Sequence, residues 1–186
     1  MTAQRLAALL MIGGSVVFGV GAAIGVPAVF TERDPAVRLR LLQDNISSWR
    51  LAQPLYALGP LLVAAGVGVL ATHVVGRGAR VAIAIAFLAL LLGSIAWAMS
   101  VYTRAFRITE FASGTLPAWP FTTYVLLTIA GIASLAIGLP ADRFPGWIVW
   151  VTLGADLAFL AGYLWFKDIP PFVFYLLFSV IGLVAW

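Results

Sequence analysis

The chain has 186 residues and a formal net charge of +4, with 10% charged residues against 63% hydrophobic ones. Soluble domains carry about 25% charged residues, so this composition describes a lipid-solvated chain. The absence of cysteine excludes disulfides, thiolate metal sites and iron–sulfur clusters. The single histidine excludes a bis-histidine haem within the chain, and the scattered basic residues form no polybasic run suited to nucleic acid.

Leu6–Phe30 contains no charge. This run exceeds the roughly 7–15 residues of a signal-peptide core, so a retained first span is expected. Beyond it, Asp34 is placed to cap a helix with Pro35 at its first position. Pro35, Leu39, Leu42, Ile46 and Trp49 then recur at helical spacing, with Arg40, Asp44 and Ser47 off the stripe. The pattern predicts an amphipathic helix over 35–49 lying in the membrane interface; a plain surface connector and a lid over a cavity are the other readings of it.

Leu51–Val75 reads as the second span. Pro54 and Pro60 each remove a backbone donor, predicting a bend near Tyr56–Gly59 and a freed carbonyl that either serves a ligand or merely accompanies a packing kink. Gly76–Arg80 fits a tight turn into the third span, Val81–Tyr102. A longer connection, Thr103–Ala118, leads to Trp119–Leu139. A second tight turn, Pro140–Gly146, leads to Trp147–Phe166, and the brief link Lys167–Pro170 to Pro171–Trp186. The expected fold is an all-α, single-domain membrane bundle over residues 1–186, with six transmembrane helices plus the interfacial helix and both termini on one side.

Orientation signals conflict. Arg5, Arg77, Arg80 and Arg143, with Asp142, lie on the short-loop side. The long-loop side carries Arg33, Arg38, Arg40, Arg50, Arg104, Arg107 and Lys167. A Lys/Arg count places the long loops inside. Those basic residues are interleaved with Glu32, Asp34, Asp44, Glu110 and Asp168 and are available for pairing, so cytoplasmic termini in a cell-membrane protein are the adopted reading. Small residues at Gly21 and Gly25, at Ala130, Ser134 and Gly138, and at Gly154, Ala158 and Gly162 predict close helix packing.

Asp156 is the only charge in Trp147–Phe166. A carboxyl at bilayer depth is costly unless paired, hydrated or protonated, which makes it a candidate site. Thr152 and Tyr163 share its helix face, and the small-residue stripe beside it is expected to press on another helix. All five tyrosines fall towards the long-loop side. An aromatic interface accounts for this, and so does a cavity walled by phenols, with Asp156 in reach of Tyr56, Tyr102 or Tyr124. Trp97 and Arg104 share a face of the third span, and Arg104 is expected to snorkel outwards rather than turn inwards to a carboxylate.

The candidate ligand-binding residues are therefore Asp156, Thr152, Tyr163, Trp97, Tyr56, Tyr102, Tyr124 and Arg104, without catalytic set, metal ligands or cofactor. They describe a membrane protein that binds, senses or moves a small apolar or amphipathic molecule. An accessory subunit packed against other chains of a membrane complex is the alternative. A lipid-modifying enzyme has least support, because no nucleophile, base partner or metal cluster accompanies the buried acid. Membrane lipid is the one partner that composition itself implies.

Overall fold

A computed structural model describes residues 2–140 and 144–186. Their regular structure is entirely helical: α1 (Ala3–Ile24), α2 (Ala28–Thr31), α3 (Pro35–Asp44), α4 (Ile46–Ala71), α5 (Arg77–Phe106), α6 (Ile108–Ser113), α7 (Trp119–Gly138), α8 (Gly146–Phe166) and α9 (Phe172–Ala185). Five of them, α1, α4, α5, α7 and α8, are long and apolar enough to cross a membrane. The molecule is thus a membrane-embedded helical bundle. The 14 residues of α9 rise ~21 Å, less than a ~30 Å hydrocarbon core. Asp142 and Arg143, in the second tight turn, lie outside the described residues.

Helix α4 lies between α1 and α5, α7 packs on α5, and α9 runs along α1. A hydroxyl pair, Tyr124 with Tyr175 at 2.9 Å, joins α7 to α9. Helix α8 is peripheral: it touches mainly α7 and buries only Ile148, Thr152 and Asp156. A Cβ at Gly154 or Gly162 would meet nothing within 4 Å. The stripe expected to press on another helix therefore faces outwards.

Close helix contact occurs instead where α1 crosses α4. A Cβ at Gly14 would lie 2.6 Å from the Gly59 carbonyl oxygen, and one at Gly59 would lie 2.8 Å from that of Gly14. In lipid, where apolar burial gives no net drive, such backbone proximity supplies the dispersion contact that holds helices together.

Helix α4 runs unbroken through Pro54 and Pro60. Pro60 has no N–H to offer the Tyr56 carbonyl four residues earlier. The Trp97 indole Nε1 from α5 donates to that oxygen at 2.9 Å. The carbonyl considered for a ligand is taken by the protein itself. Trp97→Phe should therefore strand a buried acceptor and cost about 1–3 kcal/mol. Part of that cost should vanish in a Pro60→Ala background, because the alanine N–H can return to the Tyr56 carbonyl. A double-mutant cycle on detergent-solubilised protein measures the coupling; strict additivity would refute it.

A small second core roofs one end of the bundle. The helix expected over 35–49 is divided at Asn45, whose Nδ2 donates to the Leu41 carbonyl at 3.0 Å; Ile46–Trp49 form the first turn of α4. Asp34 caps α3, its Oδ1 accepting from the N–H groups of Ala36 at 2.8 Å and Val37 at 3.2 Å. The apolar stripe does not simply lie on lipid. Leu42 and Trp49 are buried with Val29 of α2 and Ala112 of α6, and Leu39, Ile46 and Phe111 pack around them. Arg38 ties the pieces: its Nε donates to the Glu32 carbonyl at 3.1 Å and its Nη1 to the Ala112 carbonyl at 3.2 Å. Helix α6 arises inside the Thr103–Ala118 connection and ends at Gly114, whose φ of 71° suits a left-handed C-cap.

Candidate functional site

Beneath this roof lies Arg104, in the last turn of α5. Its guanidinium turns inwards among rings rather than snorkelling. The Cζ atom is 4.6 Å from the Trp97 ring centroid, 5.9 Å from those of Phe30 and Phe111, and 6.0 Å from that of Tyr56. Each ring face attracts the cation by roughly 0.5–2 kcal/mol, depending on desolvation. A ring offers no lone pair to five N–H donors in a fixed fork, however. Arg104 Nε and Nη2 are shielded and have no hydrogen-bond partner among the described residues. The only ion pair among those residues is Arg107 with Glu110, on the exposed side.

The position of Arg104 is fixed from both flanks. Its carbonyl accepts the Trp49 indole Nε1 at 3.0 Å, so the start of α4 is tied to the end of α5. Trp97 is anchored by its bond to the Tyr56 carbonyl and lies tilted against the Tyr124 ring, the centroids 4.7 Å apart. Phe18 of α1 contacts both Tyr56, at 5.0 Å, and Trp97, at 6.2 Å. Between these groups is a cavity of about 470 Å³, lined by Phe18, Phe30, Tyr56, Trp97, Arg104 and Phe121, with Pro27 and the Asp168–Phe172 link completing its wall. This volume falls within the ~300–1,000 Å³ of ordinary small-ligand sites. Asp168 is the one acid in the lining, and its Oδ1 accepts the Ile169 N–H at 2.8 Å.

The structure brings together three of the residues named from sequence, Tyr56, Trp97 and Arg104, with Tyr124 directly behind Trp97. It separates the others. Tyr102 is 65% exposed and belongs to an outer groove with Arg50 and Phe106. Tyr163 donates to Thr122 Oγ1 at 3.1 Å across the α7–α8 seam. Asp156 points inwards, 6% exposed. Its Oδ1 and the hydroxyl of Thr152 one turn away nonetheless have no partner among the described residues. None of the tyrosines expected around Asp156 bonds to it, and the phenol of Tyr124 is already engaged with Tyr175. Removing a polar group that makes no bond costs little. Asp156→Leu should accordingly leave the melting temperature unchanged or raised; a clear fall would point to a bonded partner.

The residues that sequence reading missed are Phe18, Phe30, Phe111, Phe121 and Asp168. Phe111 sits on a helix hidden in a connection, Phe18 is an ordinary mid-span residue, Phe30 and Phe121 lie at span ends and Asp168 in a short link. No cluster of three or more metal-ligating side chains occurs among the described residues. The chain matches no protein-family model, no curated protein and no solved structure.

Proposed function

We propose that this protein binds a small amphipathic molecule through an anionic group held by Arg104, its apolar part lying against Phe18, Phe30, Trp97 and Phe121. One observation carries this reading: a cation set among aromatic rings, with two shielded donors and no ion-pair partner among the described residues. A bidentate carboxylate or phosphate oxygen pair matches a guanidinium fork, and low polarity strengthens the contact. Asp156 lies outside the cavity lining and is not part of this site.

The same reading makes α2, α3 and α6 a lid over the ligand. It takes α9 as a sixth, short crossing, with both termini on the face opposite the lid. Arg38 and Arg107 are spent within the lid and Arg104 within the cavity, which supports discounting long-loop basic residues and keeping the termini in the cytoplasm of a cell-membrane protein.

Calorimetric titration with a medium-chain alkyl carboxylate, its methyl ester and the matching alkylammonium is the test. Saturable binding of the carboxylate alone is expected, lost in Arg104→Gln and retained in Asp156→Asn. Equal binding of the cation, or loss in Asp156→Asn, would overturn the reading.

A second reading, an accessory subunit of a larger membrane complex, draws support from α8, whose outward face includes Trp150 at 75% and Leu157 at 66% exposure. Extraction in mild detergent should then yield a stoichiometric complex with a different polypeptide; a lone chain would remove it.

A further inference from the structure

A second cavity, independent of Arg104, runs down the outer surface between α4 and α5. It measures about 410 Å³, and its lining includes Arg50, Gln53, Ala57, Ala98, Tyr102 and Phe106. From these residues we infer that the groove is a binding site for one anionic glycerophospholipid, the phosphate on Arg50 and an acyl chain lying along Ala57 and Ala98.

Three observations converge on that occupant. The groove lies between two helices long and apolar enough to cross a membrane, at the roofed end of both, so what fills it is lipid rather than water. Its head is cationic. Arg50 is exposed, sits over the Phe106 ring at 5.9 Å and has no ion-pair partner among the described residues. Its floor is apolar: from Arg50 to Ala57 is seven residues along α4, ~10 Å of descent, and α5 contributes Ala98, Val101 and Ala105 opposite.

Gln53 adds a polar point one turn below Arg50. It is 3% exposed, and its Nε2 donates to the Trp49 carbonyl at 3.1 Å. That bond fixes the amide orientation and leaves Oε1 shielded, with no partner among the described residues, so Gln53 closes the inner wall of the groove and the cation above it carries the recognition. A basic residue near an anionic leaflet contributes attraction anywhere along its surface. An unpaired cation at the head of an apolar groove between two long helices defines one place.

Native mass spectrometry of the detergent-solubilised full chain, titrated with phosphatidylglycerol or phosphatidylcholine of identical acyl chains, tests the site. One phosphatidylglycerol should be retained with about tenfold higher apparent affinity than phosphatidylcholine. Arg50→Gln should bring it down to the phosphatidylcholine level, Arg50→Lys should keep most of the preference, and Arg104→Gln should leave it unchanged. Ala98→Phe, which fills the groove with Arg50 intact, should also displace the lipid; unchanged circular dichroism and a cooperative thermal transition show that each variant is folded. Equal retention of the two lipids, an unaffected Arg50→Gln protein, or loss of the lipid in Arg104→Gln would overturn the inference.

Discussion

Arg104→Met should produce a protein that is more stable without ligand and unable to bind one. Arg104 is surrounded by four rings but leaves two shielded donors unmet. Withdrawing an unpaired charge from such a place removes a standing desolvation cost, and comparable replacements of buried ionic groups are neutral or stabilising by ~1–4 kcal/mol. The rings lose a cation yet keep a polarisable sulfur in the same space, and sulfur–aromatic contacts are worth about 0.3–1.5 kcal/mol. A net gain of about 1–2 kcal/mol is therefore expected in thermal unfolding of the ligand-free protein. Binding should weaken by roughly 30-fold or more, since truncating one partner of a buried charge pair costs ~2–5 kcal/mol. Stability traded for function is the mark of a binding residue. A strong loss of stability in Arg104→Met would instead make Arg104 a structural post.

The second large effect is expected at the crossing of α1 and α4. Gly14→Val should destabilise the bundle by about 3 kcal/mol or more, the upper end for overpacking. The added Cβ would stand 2.6 Å from the Gly59 carbonyl oxygen and 2.9 Å from Val63 N. Both obstacles are backbone, which no rotamer change can move aside. The helices would have to separate, taking Phe18 and Tyr56 with them, so the cavity wall between α1 and α4 should open as well. The control is Gly13→Ala, where a Cβ meets nothing within 4 Å and the helix gains about 0.5–1 kcal/mol from lower unfolded-state entropy. Equal melting temperatures for the Gly14→Val and parent proteins would show that α1 and α4 do not meet at these two glycines.

Much of the scaffold was legible because membrane helices advertise themselves through length and the absence of charge. The cap at Asp34 followed from local chemistry, and it forms as written. The break at Asn45 was not legible: an apolar stripe continues across it, and only the competing side-chain bond to Leu41 marks the end of α3. The site proposed from the fold differs in emphasis from the sequence reading for a similar reason. Asp156 drew attention as an isolated acid in mid-span, whereas Arg104 looked like a span-end arginine free to reach water. What turns Arg104 inwards is the roof: Phe30 and Phe111 lie 74 and seven residues away in the chain, and only tertiary folding sets them over one guanidinium. The prolines of α4 illustrate the same limit. Sequence predicts a freed carbonyl at Tyr56, but only the fold shows that Trp97 claims it.

The division into two cores has a kinetic consequence. The roof cluster around Leu42, Trp49 and Ala112 shares no buried residue with the core of the bundle. The Arg38 bonds lie within the roof itself; towards the bundle it is fastened by the indole of Trp49 on the Arg104 carbonyl and by the rings of Phe30 and Phe111 against the Arg104 guanidinium. Segments with separate cores and few cross-links exchange their amide hydrogens as separate cooperative units. On the proposed reading the α2–α3–α6 layer would detach and return while the long helices stay paired, and a guest would cross that threshold at the speed of a local opening instead of waiting for the whole molecule to unfold.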